Sequence, residues 1–555
     1  MAERCRFTFA EHTFPMPALR LALLLIGCLA ALCAPVRALA QDVAPGPGFA
    51  VYEYEISGNT VLPVAAVEAA VLPFMGEGKR LADVEAAREA LEKAYQGAGY
   101  LSVFVDIPEQ RVDSGVVQLR VIEGRVERLR VTGSRYYDQG FIRERLAQYA
   151  EGSVPNFNEA QAQVGRLNRE ERQVQPVLRP GALPGTVEVE VKVTDRLPLA
   201  ASIEINNRHA AQTEPLRLSA SLRYDNLFQR DHGLSLTFIT APQAVRQSKV
   251  LAANYTWPLD SGDTWLLSAG LSDSVLEPLG SGTVLGRGAT LGARWVRAFA
   301  GGDATHSLSL GADYKHQLET IGASGQTDAL STPLRYLPFQ LGYNGTWFGE
   351  RSRTTLNTTF TFGLRSLLAR RIDCPGDIGP VDQFACKRSG ADGSFAAWRG
   401  DLRHQRPMPV GPGTLALRLG WQLASQPLVG GEQYAIGGAD SVRGYLEAEG
   451  AGDHALLGSL EWRSPNLAPR SATEPAASPL DELALLAFVD LARAQIQQPL
   501  PGQAARVSLL GSGVGLRVRA WRRLSAELDL AWALKGTALS PADQMRLHLR
   551  LLAQF

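Results

Sequence analysis

The residues in this chain best suited to specific chemistry lie in the stretch 437–445, which reads Gly-Gly-Ala-Asp-Ser-Val-Arg-Gly-Tyr. Its small residues permit a tight, folded-back loop. The guanidinium of Arg443 is planar and can form a bidentate bond with a carboxylate. In the alternating stretch 483–490, Phe488 and Asp490 share one face and offer such a carboxylate. The pattern indicates a loop that binds an acidic group.

Enzymatic chemistry is not indicated. A hydrolase needs a Ser/His/acid set or paired carboxylates in a pocket, but none of the eight His stands in a motif that recruits a nucleophile. The sequence also has no Gly-x-x-x-x-Gly-Lys-Ser/Thr stretch for a nucleotide. The chain has 56 Lys and Arg and 56 Asp and Glu, so its net charge of zero does not indicate nucleic-acid binding. We predict no enzyme, no cofactor, no metal site and no nucleic-acid partner.

The elements that would position Arg443 are strands, and the last of them is the clearest. In residues 545–555, one face is wholly apolar, while the other carries Arg546, His548, Arg550 and Gln554, with Leu552 as an exception. This alternation is typical of a strand between lipid and a wet lumen. The terminal Phe555 closes the apolar face, and we interpret it as the C-terminal signature of an outer-membrane barrel.

Alternating segments recur throughout residues 196–555, and about sixteen strands can be placed there. Short links such as 260–263, 349–352 and 409–412 alternate with long ones such as 206–215 and 372–393. Bacterial barrels have an even strand number, short periplasmic turns and long outer loops. The link 465–481 is long on the side where a short turn is expected. The fold class is therefore α+β modules followed by an all-β transmembrane barrel of about 16 antiparallel strands.

The N-terminus reads as an export signal. Arg4, Arg6 and Arg20 precede an apolar run, and a small-x-small site predicts a signal peptide 1–40 with cleavage between Ala40 and Gln41. A lipoprotein box ending at Cys28 is the alternative. After cleavage, Cys374 and Cys386 remain, and in an exported chain they predict a disulfide that closes a loop.

Two segments of similar size, 51–123 and 124–195, precede the barrel. Each reads as strand, helix, helix, strand, strand, with Asn158 expected to cap the second helix of the later segment. Such small sheets leave free edges, and an edge with unpaired N–H and C=O groups can accept a strand from another chain. We therefore predict binding of an extended polypeptide, with inert spacers as the alternative.

Specific motifs make these segments resemble the POTRA domains of two-partner-secretion outer-membrane translocators, the TpsB group (ShlB/FhaC/HecB type) of the BamA/TpsB superfamily. The first segment carries Ser57-Gly58-Asn59-Thr60, Ile107-Pro108-Glu109-Gln110 and Val121-Ile122-Glu123-Gly124-Arg125. The second carries Leu167-Asn168-Arg169 and Leu178-Arg179-Pro180-Gly181. The motifs span both segments in order.

The same resemblance extends into the barrel. Val442-Arg443-Gly444-Tyr445 is similar to the lumen-inserted sixth loop of this superfamily, which implies an inserted loop near 428–453. Phe488-Val489-Asp490 is similar to its barrel-wall contact, so the resemblance implies that Arg443 pairs with Asp490. Ala492 stands where the family pattern usually has Gly.

The resemblance implies an outer-membrane pore, with POTRA domains in the periplasm, that recognises and translocates a large partner exoprotein. The alternative is an outer-membrane protein assembly factor of the BamA type. The implied partners are a TpsA-type exoprotein bound through the POTRA domains, outer-membrane lipid, and the barrel assembly machinery during biogenesis. Many relatives carry an N-terminal plug helix, but Ala44-Pro45-Gly46-Pro47-Gly48 opposes helix formation in the short segment 41–50. We therefore expect the inserted loop to do more of the closing.

Overall fold

The computed structural model describes residues 48–211, 213–279, 282–321, 330–374, 379–469 and 479–555. The predicted signal peptide, with Ala40 and Gln41, and most of the segment 41–50 lie outside these residues. Contacts group the chain into two compact units. The first holds the described residues up to Arg130 together with Leu146–Gly165 and Pro176–Glu190, and the second holds Val131–Arg145, Arg166–Gln175 and Val191–Phe555.

The N-terminal segment folds as a sheet with helices on one face. Its three strands have the order β2-β5-β4, with β2 parallel and β4 antiparallel to β5. Along α2, Val84, Ala87, Leu91 and Tyr95 recur at helical spacing and are buried. They pack in one core with Leu119 and Val121 of β5. The elements are β1 (Phe49–Val51), β2 (Glu53–Ser57), α1 (Val64–Val71), β3 (Gly76–Lys79), α2 (Leu81–Gly97), β4 (Val103–Asp106) and β5 (Val116–Glu123).

The Gly58-Asn59-Thr60 motif has a structural role in this segment. The backbone N–H of Thr60 donates to a carboxylate oxygen of Glu123 at 2.6 Å. The amide of Asn59 donates to the carbonyl of Leu62 at 2.9 Å and accepts from the Tyr95 hydroxyl at 2.6 Å. Burial, and then the nearby Glu123 carboxylate, raises the pKa of Tyr95 to about 12. The motif therefore fixes the connection that leaves β2.

The following segment forms a second sheet of order β6-β8-β7. The prediction that Asn158 caps its later helix is wrong. The side chain of Asn156 accepts from the backbone N–H of Asn158 and Glu159, because the helix begins two residues earlier. That helix also ends before Arg172, which lies in a strand. The elements are β6 (Arg125–Thr132), α3 (Gln139–Glu144), α4 (Phe157–Leu167), β7 (Arg172–Pro180) and β8 (Thr186–Asp195). The boundaries after residues 123 and 195 stay predictions.

The remaining chain forms a closed antiparallel barrel in which the last strand, β29, pairs with the first, β9. Strands β16 and β17 both pair with β15 and are separated only by Leu337 and Pro338, so they form one interrupted strand. The barrel therefore has sixteen strands, and the predicted number is confirmed. Its strands are β9 (Leu199–Asn206), β10 (Arg217–Leu227), β11 (His232–Thr240), β12 (Ser248–Pro258), β13 (Thr264–Leu279), β14 (Gly282–Gly301), β15 (Ala304–Ile321), β16 (Leu330–Tyr336), β17 (Phe339–Phe348), β18 (Arg353–Phe362), β21 (Ala396–Pro407), β22 (Thr414–Ala424), β25 (His454–Arg463), β26 (Leu480–Gln495), β27 (Arg506–Ala520), β28 (Leu524–Ala533) and β29 (Gln544–Gln554).

Further short elements lie in two of the connections: β19 (Arg371–Asp373), β20 (Pro380–Asp382) and α5 (Gln383–Lys387) between β18 and β21, and β23 (Tyr434–Ile436) and β24 (Gly450–Gly452) between β22 and β25. We call the barrel end at which β9 starts the proximal end and the opposite end the distal end. Short turns such as 228–231, 349–352 and 521–523 lie at the proximal end, and the long loops lie at the distal end. The long link 464–479 is a proximal connection, and its residues 470–478 lie outside the described part of the chain.

The predicted alternation is present in β29. Met545, Leu547 and Leu551 are exposed on the outer face, whereas His548 is buried. Phe555 exchanges two backbone hydrogen bonds with Ala201, of 2.9 and 3.2 Å. Among the described residues, no helix is both long and apolar enough to cross a membrane.

The first proximal turn carries unusual backbone strain. Phe228 and Gln229 adopt φ values of 59° and 58°, which L-residues other than Asn and Asp rarely tolerate. Asp231 adopts a φ of 59° in the same turn. Asp231 accepts two hydrogen bonds from the buried Arg172 guanidinium, at 2.8 and 2.7 Å. The side chain of Gln229 accepts from the backbone N–H of Asp138 at 3.0 Å. Residues of the same compact unit therefore hold this turn in its strained conformation.

Candidate functional site

The loop between β22 and β25, residues 425–453, folds into the barrel, and we call it the lumen loop. Its hairpin of β23 and β24 leads to residues 437–449, which contain the predicted motif. Val442 and Tyr445 are fully buried, and they pack with residues that face inward from the strands, among them Leu457, Ala492 and Leu509. The loop therefore occupies the lumen, and its motif packs against the wall formed by β25, β26 and β27.

Arg443 lies at the centre of this contact. Its Nε lies 2.7 Å and its Nη2 3.0 Å from the two carboxylate oxygens of Asp490, in the bidentate geometry that suits a guanidinium. Its Nη1 lies 2.9 Å from Glu461 and 3.6 Å from Asp529. The guanidinium carbon is 3.3 Å from the centroid of the Phe488 ring. The structure therefore brings the predicted residues together. Arg443 is 6% exposed and Asp490 0%, so the site is nearly dry.

Gly444 and Tyr445 fasten the loop next to this pair. The backbone N–H of Gly444 donates to Nε2 of His548 at 3.0 Å. Gly444 has φ +99°, and a Cβ there would lie 3.0 Å from the backbone of β28, so only glycine fits without strain. The Tyr445 hydroxyl lies 2.6 Å from the carbonyl of Lys535 and 2.9 Å from that of Leu510. Together these bonds fix the motif against three strands or their ends.

The wall is shaped to let the loop approach. A Cβ at Gly511 of β27 would lie 2.0 Å from the carbonyl oxygen of Arg443, so a side chain there would displace the loop. Ala492, which departs from the family pattern, is 3% exposed and packs in the same cluster as Val442 and Tyr445. The structure accommodates its methyl group.

Sequence reasoning missed several of these contacts. Ser459 donates a hydrogen bond to Asp490 and therefore faces inward. Glu461 lies two residues further along β25, on the same face, so alternation could have identified Glu461 as an inward residue. His548 was predicted only as a lumen-wall residue. The contact of Gly511 with the loop could not be predicted from the sequence, because a glycine occurs in a strand for many different reasons.

A second buried ion pair lies where the lumen loop returns to the barrel. Arg388, from the loop between β18 and β21, makes two hydrogen bonds of 2.6 Å with Asp453. Burial by itself would raise the pKa of Asp453. The hydrogen bonds from Arg388 and from the backbone N–H groups of Gln497 and Leu428 outweigh it, so this pKa lies below its ordinary value. Asp453 therefore links three distal loops.

Two further contacts stabilise the same region. Glu432 of the lumen loop accepts from Lys315 at 2.6 Å and from the Tyr336 hydroxyl at 2.7 Å. Cys374 and Cys386 are joined by a disulfide, two residues before Arg388. Between these elements, Phe384 of α5 packs with Leu428 and Val429. The disulfide-closed loop thus packs against the start of the lumen loop.

Charged side chains on the inner wall pair across neighbouring strands. Arg550 lies 2.7 Å from Glu527 and 2.9 Å from Glu204, so it joins β29 to both of its neighbours. Arg517 lies 2.6 Å from Asp529, and Arg519 lies 3.0 Å from Glu482. In the part of the chain that the structure describes, no group of His, Cys, Asp and Glu could hold a metal ion. The paired charged side chains line the lumen, as in water-filled barrels.

Comparison with known proteins gives a consistent assignment. The family model described as haemolysin secretion/activation protein ShlB/FhaC/HecB matches residues 185–518, and a ShlB-type POTRA domain matches residues 49–124. The outer membrane transporter CdiB of Dickeya dadantii is 23% identical over 94% of this chain and 89% of its own length. CdiB of an Escherichia coli strain is 25% identical over 75% of this chain and 69% of its own.

Solved structures agree at the level of the fold. CdiB from Escherichia coli superposes with a TM-score of 0.60 at 20% identity and covers 97% of both chains. BamA from Haemophilus ducreyi has a TM-score of 0.53 at 16% identity, over 91% of this chain and 100% of its own. The chain enters β9 at the proximal end after its POTRA match, and its relatives are outer membrane transporters, so the proximal end of the barrel is periplasmic and the distal end extracellular. With the family model covering more than half of its residues, this chain belongs to the ShlB/FhaC/HecB family of haemolysin secretion/activation proteins, the TpsB-type translocators of the bacterial outer membrane.

Proposed function

We propose that this protein recognises one large exoprotein in the periplasm and translocates it to the cell surface. The exoprotein would bind through two POTRA domains, residues 51–123 and 124–195, and pass through the barrel when the lumen loop moves. The observation that carries the proposal is the way the lumen is closed. The motif of the lumen loop contacts the wall through side chains and single backbone groups rather than a strand ladder, so the barrel can stay intact while this contact breaks.

The N-terminal sheet supports the recognition step. The backbone N–H of Gly124 donates to the carbonyl of Ser102 at 3.0 Å, which makes these two residues a hydrogen-bonded pair. Bonded and non-bonded pairs alternate along an antiparallel ladder, so the backbone groups of Val103 and Val105 point away from β5. Strand β4 is an edge of this sheet, and Phe104 beside them is 61% exposed. An extended segment of the exoprotein can pair with this edge.

The test is secretion by the full chain, co-expressed with a large exported protein encoded beside its gene. Arg443→Ala removes the partner of Asp490, and we expect a barrel that inserts normally but exports at least about tenfold less protein. The matched control is Arg294→Ala, because Arg294 also faces the lumen and pairs with a carboxylate, Asp313, on a different part of the wall. Wild-type export by the Arg443 variant would exclude the gating role of the loop.

A second arm tests recognition in the same cells. Phe104→Asp places a charge on the exposed face of the edge strand, and we expect reduced cross-linking of the exoprotein to the periplasmic segment. Leu72→Asp is the matched control, since Leu72 is 65% exposed but lies outside the edge strand. Equal loss in both variants would contradict pairing at this edge.

A further inference from the structure

The outer wall of the barrel has a groove at its distal end that the secretion function does not use. It crosses strands β11 to β15 and has a volume of about 390 Å³. Its floor includes Ala289, which lies in register between Leu271 and His316. Because alanine is small between two larger neighbours, the surface is concave at this point.

The lining residues follow two rows of the sheet. The row nearer the proximal end is largely apolar and contains Phe238, Leu251, Leu271 and Ala289, and it ends at His316. The next row towards the distal end contains Lys249, Asp273 and Arg287. Alternation places both rows on the lipid-facing side, and the exposure of Leu251 and Leu271 agrees with this. The groove is therefore apolar towards the membrane centre and charged towards the surface.

The charged row lies at the level of lipid headgroups. Trp257, Trp265 and Trp295 are neighbours in register near the proximal end, where they form part of an aromatic girdle. Asp273 follows Trp265 by eight residues on β13, about 26 Å along the strand. With the usual strand tilt this is about 20 Å along the barrel axis, near the distal edge of an apolar band about 25 Å tall.

The charges in this region favour an anion. Three basic side chains are exposed on the outer face: Lys249, Arg287 and Arg335. Arg335 is the neighbour of His316 in register. Asp273 lies in register between Lys249 and Arg287, and its carboxylate is 3.9 Å from Arg287, within ion-pair range but too far for a hydrogen bond. The three cations outnumber this one carboxylate. The Nε2 atom of His316 is buried in the groove wall without a hydrogen-bond partner among the described residues, and such groups normally have one.

We propose that this groove binds a phosphorylated glycolipid of the outer leaflet. One acyl chain lies along Leu251, Leu271 and Ala289, and a headgroup phosphate lies against the side-chain ends of Lys249 and Arg287, above Asp273. An amphiphile in this orientation matches both rows at once, whereas a free anion would leave the apolar row uncovered. The site is independent of the lumen loop and of the exoprotein.

The experiment is native mass spectrometry of the full-length protein in detergent, with bisphosphorylated lipid A as the probe. We expect one retained lipid, and about tenfold less retention for the double variant Lys249→Gln/Arg287→Gln, since a charge-assisted hydrogen bond contributes about one factor of ten or more. Ala289→Trp fills the groove without changing charge and is expected to lower retention as well. Heat-modifiable electrophoretic mobility verifies that each barrel is folded.

Arg406→Gln is the matched control, because Arg406 is an exposed arginine at the other end of the barrel wall. Equal retention by this control and the double variant would overturn the proposal. Equal binding of lipid A without phosphates would also overturn it, since the headgroup would then play no part. Displacement of the lipid by inorganic phosphate would show a site for free anions instead of a lipid site.

Discussion

The two ends of the lumen loop are held by buried ion pairs, but only the base also has an ion-pair partner on another distal loop. At the tip, residues 442–445, Arg443 binds Asp490 and Glu461 on the barrel wall. At the base, residues 428–432 and 453, Asp453 binds Arg388 on another distal loop, and Glu432 binds Lys315 on the wall. The ion pairs of the tip join the loop to the wall alone, whereas those of the base join it to the wall and to a second distal loop. We therefore assign closure to the tip and positioning to the base.

The largest expected effect separates the tip from the rest of the wall. Asp490→Ala leaves Arg443 buried without its main partner, and removing one partner of a fully buried pair costs about 3–5 kcal/mol. We expect a lower unfolding temperature in heat-modifiable mobility and a pore that conducts more in planar bilayers. Glu527→Ala is the control, because Glu527 pairs with Arg550 on the wall and not with the loop. Equal conductance of the two variants would remove the distinction between tip and wall.

The disulfide tests whether the base depends on its neighbouring loop. Cys374→Ser/Cys386→Ser opens a loop with a sequence separation of 12, and closing a loop of about this length stabilises a fold by about 3 kcal/mol. We expect more frequent opening events in single-channel recordings, because Phe384 and Arg388 lose their fixed position. Secretion should be nearly unchanged, since the tip is intact. A reducing agent should produce the same recordings from the wild-type protein, and a difference between the two would point to an effect of the serines themselves.

The smallest expected effect concerns the charge of Asp453. Asp453→Asn weakens charge-assisted bonds and is expected to destabilise the base by about 1.5–3 kcal/mol. Because the pKa of this group is lower in the folded protein than its ordinary value of 3.8, its contribution is complete above that pH and is lost as the pH falls through the folded value. Opening of the wild-type pore should therefore increase below about pH 3.8. The Asn variant should show no such increase, and an equal response in both would assign the pH effect to another group.

The sequence predicted the wall and the tip better than the base. Alternation placed Asp490 and His548 inward, because a strand residue has only two faces to choose from. The pairing of Arg443 with Asp490 came from the resemblance and not from the pattern. The Arg388–Asp453 pair could not be predicted, since it depends on how two long loops fold against each other. We predicted the helix cap at Asn158, but the cap is Asn156. Asparagine is a good cap at either position, and only the start of the helix distinguishes the two.

The strained turn at residues 228–231 has a consequence for biogenesis. The left-handed conformations of Phe228 and Gln229 make the hairpin of β10 and β11 unfavourable on its own. It gains its stabilising partners only when Arg172 and Asp138 have taken their final places. Assembly of the barrel should therefore depend on the segment before it, because without Arg172 and Asp138 in place the opening hairpin lacks the partners that offset its strain.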